Sequence, residues 1–224
     1  MGQIKDKNRM KKKLAIFDMD GTILDTLDDL TDSINYALSY CGFPEHTKDE
    51  VRRFVGNGIL RLVKRSVPPY AGEADIEKVF QVFKDYYKLH CRDKTRPYPG
   101  IVDVIETLKE KGYLIAVVSN KADFAVQELC LRYFPGLIDY AVGEREGIKK
   151  KPAPDSVMSV MEVLNVRPEE SIYIGDSDVD IATAKNAGIC CLTVTWGFRD
   201  CEYLKQCGAD VFAHKADEIL DLLI

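Results

Sequence analysis

Apolar residues along the chain fall into two regimes. From Leu27 to about Arg92 they recur at helical spacing, as in Leu27, Leu30, Ile34, Ala37 and Leu38, with no strand-like run between them. Outside that block, short continuous apolar runs alternate with helical patterns. The runs predict strands over Leu14–Phe17, Tyr113–Val118, Tyr140–Val142, Ser171–Ile174, Cys190–Val194 and Val211–Phe212. Helices are predicted over Ile101–Lys111, Ala122–Arg132, Pro154–Leu164, Asp178–Ala187 and Ala216–Leu223, two of them stopped by Gly112 and Gly188. Strand–helix–strand order of this kind implies a parallel sheet covered on both faces, an α/β fold with a Rossmann-like core.

The helical block has its own punctuation. Asp25 to Phe43 reads as one helix, stopped near Gly42. Thr47-Lys-Asp-Glu50 has the capping-box pattern and starts a second. Gly56-Asn57-Gly58 breaks the pattern, Pro68-Pro69 and Gly72 make a connection, and Asp75 to Arg92 forms a long aromatic-bearing helix. The expected organisation is a core of residues 1–26 and 93–224 with an inserted α-helical cap, 27–92.

Composition narrows the class. With 224 residues, 46% of them hydrophobic, the chain can bury a large core. A net charge of −5 argues against a nucleic-acid partner. Seven cysteines without CxxC or Cys/His metal spacing suit reduced thiols in a cytosol, and Cys190-Cys191 reads as a buried apolar pair. No run approaches the roughly 20 apolar residues of a membrane span. Met1 to Lys13 lacks the apolar stretch of a secretory signal and reads as a frayed leader, with Met10 as an alternative start and Lys11-Lys12-Lys13 solvated. A cytoplasmic monomer or weak homodimer acting on a small molecule, with no membrane or nucleic-acid partner, is the expectation.

Candidate chemistry gathers at strand ends. Asp18 and Asp20 follow the Leu14–Phe17 strand, and residues two apart on a strand face one side. Gly21 permits the turn that follows. Acids at the carboxyl edge of an open α/β sheet sit where such sheets place ligands. One acid could attack while the other handles a proton, or both could hold a hard cation; an ordinary Asp-capped turn would look the same. Ser119-Asn120 follows Val118 before a predicted helix start, where a hydroxyl, an amide and free helix N–H groups make an anion site. Gly147 to Asp155 carries Lys149, Lys150 and Lys151 ahead of Pro152-Ala153-Pro154, and Gly175-Asp-Ser-Asp-Val-Asp180 holds three carboxylates.

Together these four stretches resemble the four motifs of the haloacid dehalogenase superfamily, and the resemblance covers the chain from about Lys13. It implies that Asp18 is a nucleophile forming an aspartyl-phosphate and Asp20 the proton carrier. It further implies phosphate binding by Ser119, Asn120 and Lys151, Mg2+ held by Asp18, Asp20 (by its backbone carbonyl) and Asp176, and a supporting role for Asp180. Asp178 falls on a variable position. The second acid disfavours the dehalogenase and phosphonate-hydrolase branches. Phe54-Val-Gly-Asn-Gly58, Leu62-Val63, Tyr98-Pro-Gly100 and Thr195-Trp-Gly-Phe198 resemble the phosphoglycolate phosphatase group, which makes Gly56 and Asn57 the expected substrate-selecting positions of the cap. A β-phosphoglucomutase-like phosphomutase, or a pyrophosphatase or nucleotidase of the same superfamily, are the competing readings.

Overall fold

The computed structural model describes residues 12–224. Residues 1–11 of the expected leader, Met10 and Lys11 among them, lie outside the described residues. A first strand, β1 (Leu14–Phe17), runs through the centre of the molecule. Alternate residues of a strand face opposite sides. Ala15 and Phe17 pack against α5 (Ile101–Glu110) and α6 (Asp123–Tyr133). Leu14 and Ile16 pack against α7 (Asp155–Val163) and α8 (Asp178–Asn186). A strand covered on both faces has no polar side, which is why its sequence is continuously apolar.

β1 pairs in parallel with β4 (Leu114–Ala122) and with β6 (Ser171–Gly175). With β5 (Tyr140–Glu144), β7 (Cys190–Val194) and β8 (Phe212–Ala213) they form a six-stranded parallel sheet in the order β5-β4-β1-β6-β7-β8. The order reverses direction around β1, so its carboxyl end opens onto a crevice. Helices α9 (Cys201–Gln206) and α10 (Glu218–Leu223) complete the core.

Between Asp25 and Arg96 the chain builds four helices, α1 (Leu27–Tyr40), α2 (Lys48–Phe54), α3 (Ile59–Ser66) and α4 (Glu73–His90), around a cluster that includes Ile34, Leu38, Val63 and Phe83. The Thr47–Glu50 capping box starts α2 as expected. Both connections to the core pass through a two-stranded antiparallel ribbon, β2 (Leu24–Asp25) with β3 (Arg96–Pro97). Buried Asp29 ties the junction together, accepting from the Lys94 and Thr95 amides, each at 2.9 Å, and from Thr95 Oγ1 at 2.7 Å.

Four expectations shift. Asp25 belongs to the ribbon rather than to the first helix, because two-residue strands are too short to show a period. Residues 119–122 continue β4 instead of leading directly into a helix. Lys12 and Lys13 are not simply solvated: the Lys12 ammonium donates to Ser171 O at 2.8 Å, and Lys13 pairs with Glu170 at 2.6 Å. Cys190 lies exposed at the start of its strand, although all seven cysteines are free thiols. No helix among the described residues is long and apolar enough to cross a membrane.

Candidate active site

Asp18 continues the sheet one residue past β1, its amide donating to Ile174 O at 2.8 Å. Its carboxylate therefore emerges at the sheet edge between the ends of β4 and β6. There Asp18 Oδ1 accepts from the Lys151 ammonium at 2.8 Å. The same ammonium donates to Asp180 Oδ1 at 2.7 Å and to the Tyr173 hydroxyl at 2.9 Å, so its three donors have three partners. Burial alone would favour neutral Lys151, but the charges of Asp18 and Asp180 outweigh it and hold the ammonium well above its ordinary pKa.

Asp176, after β6, joins this cluster. Carboxylate oxygens of Asp18, Asp176 and Asp180 lie within 4.8 Å of one another, all buried. Burial, with the charge of Asp180 next, pushes the Asp18 carboxyl up to about 7 and holds Asp176 well above the usual carboxylate range. Ionising all three carboxylates against one ammonium would leave two negative charges out of water. A divalent cation would relieve that imbalance, and an all-oxygen donor set suits Mg2+. The two outer acids differ in what they have left to offer. Asp180 Oδ1 accepts from Lys151 and Tyr173, and Oδ2 from the Ser177 amide and hydroxyl, so this side chain fits a supporting role. Asp176 accepts one bond on each oxygen, from Thr22 Oγ1 at 3.2 Å and Phe198 N at 2.7 Å, and keeps lone pairs for a cation. A Cβ on Gly197 would come within 2.3 Å of Asp176 Oδ2, which explains the glycine in Trp196-Gly-Phe198: only hydrogen leaves room for that amide to reach the carboxylate.

Asp20 faces elsewhere. Its Oδ1 accepts from the Lys121 ammonium at 2.7 Å, outside the cluster of three acids. Lys121 is buried, 5.0 Å from the centre of the Tyr87 ring on α4. Neither residue was singled out from the sequence. A lysine inside the otherwise buried run of β4 was a usable signal, whereas Tyr87 looked like any core aromatic of the helical block. Tyr173, another unforeseen participant, accepts from Lys151 and shares its single hydroxyl proton between Val118 O at 3.0 Å and Asp180 Oδ1 at 3.2 Å.

Ser119 lines the pocket, with its hydroxyl oxygen accepting from Lys121 N at 3.3 Å. Ser119 and Asn120 sit on the strand, and helix α6 begins three residues beyond Asn120, so free helix N–H groups do not flank them. The Asn120 amide is engaged with the Lys151 backbone. From the cap, Gly56 and Gly58 line the same pocket; Asn57 lies between them and is not among the lining residues. Core residues hold this loop: Asn120 Nδ2 donates to Gly56 O at 3.4 Å, and Arg199 donates to Arg52 O at 3.1 Å and Val55 O at 2.8 Å. Asp178 faces Arg199 at 3.5 Å rather than the cluster. Lys150 pairs with Glu144 at 2.6 Å. The cavity between cap and core is about 50 Å³, the space of a few water molecules.

A parallel sheet with acids at the end of its central strand, a buried lysine, and a helical module closing over them define a hydrolase of one type. The family model for haloacid dehalogenase-like hydrolases matches residues 15–194, and the chain belongs to that family. Relatives include a phosphoglycolate phosphatase of Aquifex aeolicus, 32% identical over 83% of this chain and 86% of the relative. That of Psychrobacter arcticus is 34% identical over 88% of this chain and 89% of the relative. The solved structure of a candidate phosphoglycolate phosphatase from Lactobacillus delbrueckii subsp. bulgaricus has a TM-score of 0.91 and 40% identity, covering 96% of this chain and 99% of that one. Within its family the protein is a phosphatase, a phosphoric monoester hydrolase.

Proposed function

We propose that the protein is a Mg2+-dependent phosphatase acting in the cytoplasm on small phosphomonoesters of the phosphoglycolate kind, through an aspartyl-phosphate on Asp18. What carries this reading is the divergence of two acids only two residues apart. Asp18 is held among buried carboxylates by Lys151, whereas Asp20 turns toward Lys121 and the cap. Separate environments suit one acid to attack and the other to move protons. The relatives named above support the substrate class.

In this mechanism Asp18 attacks phosphorus in line, and Asp20 gives its proton to the departing alcohol oxygen. Asp20 then takes a proton from the water that cleaves the acyl phosphate, which restores both acids. Lys151 and Ser119 face the transferring group, and Asn120 fixes Lys151. Asp18 and Asp176 would hold Mg2+, which would supply positive charge to offset that of the phosphoryl group. The helical block acts as a cap that excludes bulk water during transfer.

The test is phosphate release from a panel of phosphomonoesters, with Mg2+ and again with excess EDTA. Preference for short acidic esters, lost with EDTA, supports the reading. Isomer formation in place of free phosphate, or activity only on nucleotides or pyrophosphate, would replace it.

A further inference from the structure

The hydrolytic steps leave one buried group in the pocket unexplained. Tyr87 is fully buried, lines the cavity, and its hydroxyl makes no hydrogen bond. An unpaired buried hydroxyl is destabilising in every folded molecule, so one that faces a cavity marks a position where something else bonds. Its charged neighbour is Lys121, whose ammonium stands 5.0 Å from the ring centre. Lys121 has three donors, and Asp20 takes one of them. A cation and a hydroxyl thus stand side by side, one from the core and one from the cap.

The geometry points to Lys121 and Tyr87 as the subsite that reads the non-phosphate end of the substrate by binding a carboxylate carried close to the ester oxygen. This rests on the phosphatase reading above. Asp20 protonates the leaving oxygen, so whatever is attached to that oxygen lies beside Asp20 and hence beside Lys121. Leu30, Val55, Ile59 and Leu62 give the cap wall around it an apolar lining. A cavity of about 50 Å³ admits only a short chain. Both groups can donate, and a carboxylate has two oxygens to accept, whereas an alcohol offers one and brings no charge.

The experiment compares kcat/KM for 2-phosphoglycolate and for 2-hydroxyethyl phosphate, an ester of similar size with an uncharged tail, in wild type, Tyr87→Phe and Lys121→Met. The wild type should prefer the acid. Tyr87→Phe should lose about tenfold or more on phosphoglycolate, the worth of one hydrogen bond to a charged group. The same change should cost 2-hydroxyethyl phosphate clearly less. Its Tm should hold or rise, because the deleted hydroxyl has no partner in the free enzyme. Lys121→Met should abolish the preference for the acid. Equal losses on both esters in both variants overturn the subsite and leave the phosphatase reading standing. A wild type that prefers the neutral ester overturns the subsite and the phosphoglycolate-like substrate class together, and one that releases phosphate from no monoester overturns the phosphatase reading as well.

Discussion

Asn120 and Lys151 are locked to each other by a reciprocal pair of hydrogen bonds: Asn120 Oδ1 accepts from Lys151 N at 2.9 Å, and Asn120 Nδ2 donates to Lys151 O at 3.1 Å. The amide on β4 therefore fixes the backbone of the residue whose ammonium meets Asp18. Its contribution to catalysis runs through Lys151. Asn120→Ala should lower kcat by about 10-fold or more. Its effect should be far from additive with Lys151→Ala, as expected for residues in one network. A double-mutant cycle on phosphate release measures this, and additive losses would separate the two. Lys150→Ala, which removes only a half-exposed pair with Glu144, should stay near wild type.

Asp18→Asn should abolish turnover by at least ~10³-fold, beyond the loss of an acid–base group alone, because an amide is a poor nucleophile. Its carbonyl can still accept from Lys151, so far-UV circular dichroism should be unchanged. Near-normal phosphate release from a folded variant would assign the attack to another residue.

The raised carboxyls give metal binding a pH signature. In the cation-free protein Asp18 keeps its proton to about pH 7, whereas an unfolded chain loses it near pH 4. Across that window the folded state binds more protons, so this group's contribution to stability falls as pH rises. Asp176, raised for the same reason, acts in the same direction. Mg2+ offsets the exposed charge, so the difference in Tm between Mg2+ and EDTA should widen from about pH 5 to about pH 8. Asp176→Asn should narrow the gap, and Asp178→Ala, which faces Arg199, should not. A gap independent of pH would show that these acids do not hold the cation.

Gly56 has φ +107, and a Cβ there would meet Arg199 Nη2 at 3.3 Å. Gly56→Val should cost about 1–3 kcal/mol in backbone strain and displace the cap loop from Arg199. Substrate preference, measured as kcat/KM for phosphoglycolate against an aryl phosphate, should change more than attack by Asp18. Equal losses on both substrates would make the loop purely structural.

Helices α1 to α4, the strands of the core and the acids at their ends were legible because each carries a local signal. Apolar period, capping pairs and glycine stops act over a few residues, and four short motifs fixed which polar residues belong together. The β2–β3 ribbon left no trace, since two residues cannot show a period. Asp29 stands in the first turn of α1, where an acid needs no distant partner, and only its bonds to Lys94 and Thr95 reveal it as the fastening of the cap junction.

Sequence by itself determined the strand that ends at Asp18, the helical insertion after it, and the identity of the acids and lysine that meet there. Tertiary structure decided which partner each took. Asp18 and Asp20 stand two residues apart, yet one faces Lys151 and the other Lys121, and nothing within the motif distinguishes them. That choice depends on β4, β6 and α4, elements far apart along the chain, because charge and desolvation at a carboxylate are set by whatever packs within a few ångströms of it, and spacing along the chain carries no record of that.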